Sequence, residues 1–288
     1  MKLKQKVLTD IVKYRLKMLA GLSTERAAQK AFDLFCTPVP TKNLPTPEIF
    51  SAATTFRFQS EQETIHGYRW NTGAAVRILL VHGFSSSSKK FSHLIEPLIE
   101  KGYEVITFDA PAHGASTGRR INAVSYSNAI RTYFEQYGTV DGIIAHSLGG
   151  LASMLVLKDL PDNHKIKTVL LAPATESQTQ LDLFVNYFGL STQVKDKMKE
   201  LIWQKAQVEL HEISITQVID KVKGPVYWFH DEEDPVTPFP DALKVIDKGY
   251  ENIRFYPTKG LGHSRIYKEN AICSEVLSFL DFSKVTYN

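Results

Sequence analysis

The 288-residue chain is 43% hydrophobic and 23% charged, enough apolar material for a sizeable core and too even a composition for a disordered or repetitive chain. A net charge of +3 argues against nucleic acid as a partner. The two distant cysteines, Cys36 and Cys273, argue against a disulfide framework or a thiolate metal site and suit a reducing, cytoplasmic setting.

The chain opens on a basic run, Met1-Lys2-Leu3-Lys4-Gln5-Lys6, followed by apolar residues. Asp10, Lys13, Arg15 and Lys17 interrupt the apolar stretch, so it has neither the h-region of a signal peptide nor a membrane-spanning length. Val7, Ile11, Tyr14 and Met18 recur at helical spacing. This predicts an amphipathic helix packed on the body or on another subunit, with weak association to a membrane surface as the other reading. A monomer and a homodimer both stay open. A second helix is expected from an N-cap at Ser23 or Thr24 to about Phe35, with Glu25 in its first turn. Pro38, Pro40, Pro45 and Pro47 then enforce an extended connector. Residues 1–50 are accordingly expected to form an N-terminal helical extension and connector ahead of one domain, 51–288.

Thr54–Phe58 and Thr64–Trp70 read as a hairpin joined through Ser60, Glu61 and Gln62. Five short apolar runs follow, Val76–Val81, Tyr103–Phe108, Gly142–Ala145, Thr168–Ala172 and Val226–Phe229, with a weaker one at Ile253–Tyr256. Strands buried on both faces of a parallel sheet have this appearance. Helix-length segments alternate with them, at Phe91–Lys101, Asn122–Tyr137, Ser147–Leu160, Pro240–Lys248 and Lys268–Phe282. The pattern predicts an α/β protein with a doubly wound, mostly parallel sheet. The stretch from Ala172 to Gly224 is too long for a structureless loop, and a helical cap inserted at about 174–223 is expected there.

Four features then fall in order. Ala145-His146-Ser147-Leu148-Gly149-Gly150 runs from a strand into a helix with serine at the turn, where small neighbours are needed; Ala145 stands where the G-x-S-x-G pattern has its first glycine. Ser147 is the candidate nucleophile, and the Leu148 N–H at the helix start is a candidate oxyanion donor. Leu80-Val81-His82-Gly83-Phe84 follows a strand, and the Phe84 N–H is the second candidate donor. The Ser85–Ser88 run is expected to cap a helix and shape the site wall. His230-Asp231-Glu232-Glu233-Asp234-Pro235 offers four carboxylates. Asp234 is preferred as the acid that orients the histidine, Asp231 is the runner-up, and Glu232 and Glu233 read as solvated loop charges. Gly260-Leu261-Gly262-His263-Ser264 supplies the candidate general base, His263. His146, His82, His113 and Asp109 are read as structural. No spacing suggests a metal site, a P-loop or a dinucleotide fingerprint, so no cofactor is expected.

From about residue 54 onward these motifs resemble the α/β-hydrolase superfamily, as does the turn Asp109-Ala110-Pro111-Ala112-His113-Gly114-Ala115-Ser116. The resemblance implies about eight strands and a variable cap after strand six. It also implies the triad Ser147, Asp234 and His263 with oxyanion donors Phe84 and Leu148. It points to a carboxylesterase-like serine hydrolase acting on a small-molecule acyl ester or thioester. The alternatives are lysophospholipase or monoacylglycerol-lipase-like activity, amidase or peptidase activity, C–C bond hydrolysis, and a non-catalytic ligand-binding protein. Phe184, Tyr187 and Phe188 in the cap are candidate substrate-binding residues.

Overall fold

The computed structural model describes residues 3–39 and 45–282; Met1 and Lys2 of the basic run and Pro40 of the connector lie outside the described residues. Eight strands form one open sheet: β1 (Thr54–Ser60), β2 (Glu63–Trp70), β3 (Arg77–Val81), β4 (Glu104–Phe108), β5 (Gly142–His146), β6 (Lys167–Leu171), β7 (Val226–Asp231) and β8 (Ile253–Thr258). Their order is β1-β2-β4-β3-β5-β6-β7-β8. The first two pairings, β1 with β2 and β2 with β4, are antiparallel, and every later pairing is parallel. Eleven α-helices occur among the described residues: α1 (Leu3–Leu22), α2 (Thr24–Phe35), α3 (Ser92–Glu100), α4 (Ala123–Tyr137), α5 (Leu148–Leu157), α6 (Ser177–Phe188), α7 (Thr192–Ala206), α8 (Ile215–Val218), α9 (Phe239–Ile246), α10 (Gly262–Arg265) and α11 (Asn270–Phe279). This is the doubly wound sheet the alternation predicts, with the β1–β2 hairpin turning at Glu61 and Gln62 and keeping Ser60 in the ladder opposite Glu63.

The apolar runs are strands because both of their faces are covered. On one face Ile78, Leu80, Val105, Ile144, Val169 and Phe229 pack with Leu94, Ile95 and Leu98 of α3 and with Ile272 and Val276 of α11. Helices α4, α5, α8 and α9 neighbour one another in succession on the opposite side. Strand β4 runs to one side of β3, while β5 to β8 run to the other, so the chain reverses its winding direction at β3. In open α/β sheets such a switch point marks the strand ends where sites form.

The residues divide into two compact units. One joins residues 38–175 and 214–288 and contains the sheet. The other joins residues 1–37 with 176–213, so the N-terminal helices α1 and α2 share a unit with α6 and α7 of the insertion between β6 and β7. Within it α2 packs against α1 and α7, and Phe35 meets Phe184 edge-on with ring centroids 5.2 Å apart. The segment between β6 and β7 divides between the two units after Ile213. Ile215, Val218, Ile219 and Val222 are buried, and the Ile215 amide donates to the Thr175 carbonyl at 2.8 Å, which returns residues 214–223 to the sheet unit. No helix among the described residues is long and apolar enough to cross a membrane.

Candidate active site

The turn between β5 and α5 places a serine at its tip. Ser147 has φ 54° and ψ −123°, a conformation that L residues adopt rarely and that costs about 1–3 kcal/mol. The surroundings over-determine it. The Ser147 amide donates to Leu171 O at 3.1 Å, and Ser147 O accepts from Gly150 and Ala174 at 2.9 and 3.0 Å. A Cβ at Gly149 would lie 2.6 Å from the carbonyl oxygens of both Val81 and His82, and one at Gly150 would lie 2.7 Å from Pro173 Cβ. Glycine at these positions lets α5 start directly against the end of β3 on one side and the segment after β6 on the other. Ala145, in place of the pattern's first glycine, is fully buried in β5 between Val81 and Leu170.

Three side chains from separate loops converge here. His263 Nε2 lies 3.0 Å from Ser147 Oγ, and His263 Nδ1 lies 2.8 Å from Asp234 Oδ2. With its proton on Nδ1 donated to Asp234, the imidazole presents a lone pair at Nε2 to the serine hydroxyl. Asp234 is buried at the end of the β7 loop, and burial alone would raise its pKa. The hydrogen bond and charge of His263, with the amides of Thr237 and Val236, outweigh that and hold the carboxyl below its ordinary range. Those amides reach Asp234 Oδ1 at 3.0 and 2.8 Å, and the Thr237 hydroxyl donates to Oδ2 at 2.8 Å.

Asp231 has a different task. It accepts from the Glu233 amide at 3.1 Å, the Thr258 hydroxyl at 2.8 Å and the Leu261 amide at 2.9 Å, and so fastens the loop that carries His263. Glu232 and Glu233 are exposed. His146 also holds this loop: its Nε2–H donates to the His263 carbonyl at 3.0 Å, and its ring packs on those of His263 and Tyr267. Burial, reinforced by the neighbouring His263, lowers the His146 pKa to about 3, so the ring stays neutral at physiological pH.

The loop after β3 approaches from the other side. A Cβ at Gly83 would lie 2.8 Å from Ser147 Cβ and 2.9 Å from His146 Nδ1, so only glycine lets the chain pass this close. Neither the Phe84 nor the Leu148 amide donates to a protein acceptor among the described residues. The next residue is anchored: the Ser85 amide donates to His113 Nε2 at 2.9 Å, and His113 Nδ1–H donates to Pro111 O at 2.9 Å. Asp109 accepts from Ser88 and Ala115 amides at 3.0 Å each, which ties the Asp109–Ser116 turn to the same loop. The expected capping by the serine run does not occur. Ser87 precedes the 3-10 turn Ser88–Phe91 without a side-chain cap bond, and the Ser85 hydroxyl instead accepts from the Val39 amide at 2.9 Å.

The family model described as serine aminopeptidase, S33, matches residues 73–218, slightly more than half of the chain. The chain belongs to this α/β-hydrolase family. It is 26% identical over 129 residues to "Putative esterase/lipase 3" of Mycoplasma pneumoniae, and the match spans 44% of this chain and 46% of that relative. The fold is that of the Pyrococcus furiosus esterase Pf2001, with a TM-score of 0.64 at 18% identity over 85% of this chain and 95% of that one. A bacterial membrane phospholipase A aligns with a TM-score of 0.62 at 13% identity, covering 97% of this chain and 98% of that one.

Of the residues expected from sequence, Ser147, Asp234 and His263 are brought together, with Phe84 and Leu148 flanking Ser147 in the chain segments just described. Phe184, Tyr187 and Phe188 cluster with one another in the other unit, where Lys13 Nζ lies 4.1 Å above the Tyr187 ring. Two contributors escape sequence reasoning, Thr237 and His230. His230 Nδ1 accepts from Trp228 Nε1–H at 3.2 Å and its Nε2–H donates to Thr237 O at 2.7 Å, holding the Thr237 backbone beneath Asp234. The Asp-Pro-Val-Thr spacing was the available signal for Thr237, since an aspartate that accepts from amides two and three residues onward forms an Asx-type turn. Among the described residues no group of three His, Cys, Asp or Glu side chains is arranged to hold a metal ion.

Proposed function

We propose that this chain hydrolyses a carboxylic ester or thioester through an acyl-Ser147 intermediate. The observation that carries the reading is the continuous contact Ser147 Oγ–His263 Nε2–His263 Nδ1–Asp234 Oδ2, at 3.0 and 2.8 Å. His263 takes the Ser147 hydroxyl proton as Oγ attacks the acyl carbon and returns it to the leaving oxygen or sulfur as that bond breaks. Water, deprotonated by the same imidazole, then attacks the acyl carbon, and Ser147 Oγ leaves with that proton as the acid is released. The oxyanion of each tetrahedral intermediate accepts from the Phe84 and Leu148 amides, which no protein acceptor among the described residues occupies. Asp234 stays ionised and stabilises the imidazolium. Serine as nucleophile favours acyl transfer over the alkyl-enzyme chemistry a carboxylate would support.

The test is labelling with a fluorophosphonate probe, followed by rates on paired p-nitrophenyl esters, acyl-thioesters and aminoacyl p-nitroanilides. Wild type should be labelled and Ser147→Ala should not; an unlabelled wild type with intact fold sinks the proposal. The family's description names an aminopeptidase, which makes amide cleavage the second reading. Faster turnover of the anilides than of the esters would select it.

Gly83→Ala should lower kcat/KM by about 10²–10³-fold, the scale of losing one well-placed oxyanion donor, because the new methyl group pushes the Phe84 segment away from Ser147. Steady-state kinetics on a p-nitrophenyl ester, with a thermal melt to verify folding, checks this. Unchanged kcat/KM would remove Phe84 from the site.

A further inference from the structure

Helix α1 carries two apolar faces. Leu16 on one is buried, and α1 packs through this side of the helix within its own unit. The other is a stripe of Val7, Ile11, Tyr14, Met18 and Leu22, each between 44% and 83% exposed. At 100° per residue the five fall within an arc of about 80°, a continuous ridge along the helix rather than scattered surface residues. Arg15 borders the ridge on one side and Lys17 lies beyond Asp10 on the other, all three exposed. Residues 1–37 hold eight Lys and Arg against three Asp and Glu, whereas the whole chain carries a net charge of only +3. The positive excess of the chain therefore lies in the segment that bears the ridge.

We infer that α1 docks this unit onto a membrane surface containing anionic lipid, lying in the plane of the interface. The apolar side chains enter the acyl boundary while Arg15 and Lys17 meet lipid phosphates at its edge. The charged residues along α1 keep it from spanning, in line with the absence of any membrane-crossing helix among the described residues. A second copy of the chain fits less well. The ridge offers on the order of 500 Å², typical of a functional surface patch but short of the ~800 Å² per partner that stable dimers bury. Pairing two such helices would also bring two segments of like net charge together, which an anionic bilayer instead neutralises.

The full chain should be sedimented with vesicles of phosphatidylcholine alone and of phosphatidylcholine with one quarter phosphatidylglycerol. The partition coefficient should be at least tenfold higher on the anionic vesicles. Ile11→Ser with Met18→Ser should lower it at least tenfold on the anionic vesicles. Arg15→Gln with Lys17→Gln should erase most of the difference between the two compositions, and it provides a reading even if the apolar double variant fails to fold. Hydrolysis of a soluble short-chain ester should be unchanged in both variants, which separates this surface from the Ser147 chemistry. Wild type that stays in the supernatant with both vesicles overturns the inference, as does binding that neither variant reduces. A dimer in sedimentation velocity without lipid, lost in Ile11→Ser with Met18→Ser, would assign the ridge to a second copy and overturn it equally.

Discussion

Asp234→Asn is expected to lower kcat for ester hydrolysis by about 10⁴-fold, the loss typical when the orienting carboxylate of a serine triad becomes an amide. The Val236 and Thr237 amides both donate to Oδ1, so the oxygen of the introduced amide should keep that place and leave the NH₂ where Oδ2 was. An amide NH₂ turned toward His263 Nδ1 makes that nitrogen an acceptor and moves the ring proton to Nε2, where it faces Ser147 Oγ. The serine then has no base. Asp231→Asn should behave differently, since Asp231 touches Thr258 and Leu261 rather than the imidazole. Its expected cost is about 1–3 kcal/mol of stability, with a loss in kcat of about tenfold or less. Measuring kcat and thermal midpoints for both variants checks the assignment, and the opposite ranking of kcat would transfer the acid's role to Asp231.

The second large effect is a loss of stability in mild acid. His82 and His146 are buried at the site, and burial lowers their pKa values to about 4 and about 3, respectively, from an ordinary 6.5. His82 accepts from the Ala110 amide at Nε2, and protonation there would break that bond. Above pH 6.5 both rings are neutral whether the chain is folded or unfolded, and their contribution is complete. As pH falls from 6.5 toward 4, the unfolded chain binds two protons that the folded chain refuses, so stability declines by about 1.4 kcal/mol per unit for each ring. At pH 5 the pair amounts to roughly 4 kcal/mol, a large part of the 5–15 kcal/mol of an ordinary domain. His230 and His113, also lowered chiefly by burial, act in the same direction. Asp234, held below its ordinary range, adds its own loss only at lower pH still. Thermal melts should show Tm falling by about 10 °C between pH 7.5 and pH 5. A midpoint that stays level across that window would mean that these rings protonate in the folded protein.

The strands were legible because the fold repeats one physical demand. Runs such as Ile78–Val81 and Gly142–Ala145 are apolar on both faces since helices cover both sides, and that shows in the sequence without knowledge of neighbours. The meeting of Ser147, Asp234 and His263 was legible for a related reason: each follows a strand end by a short turn, and parallel strands bring such ends to one edge of the sheet. In the sequence Asp234 differs from Asp231 by lying a short turn beyond the strand and ahead of Pro235 and Pro238, which stiffen the loop. What separates them in space is that Asp231 faces the Leu261 amide, a partner thirty residues away that no local pattern specifies. The same limit hid the contact between His146 and the His263 carbonyl, and the service of His230 beneath Thr237. The shared unit of residues 1–37 and 176–213 was equally out of reach, because amphipathic helices announce that they have a partner without naming it.

The backbone at Ser147 has a consequence for anyone seeking a hardier protein. Its φ of 54° is strained for serine and free of strain for glycine, so a search that ranks substitutions by folded-state energy would favour glycine there. The gain in melting temperature would come with the removal of the hydroxyl. Under the proposed mechanism, durability and reactivity are set against each other at one residue, and Gly83 and Gly149 must be held fixed with it, because their missing side chains make room for the turn.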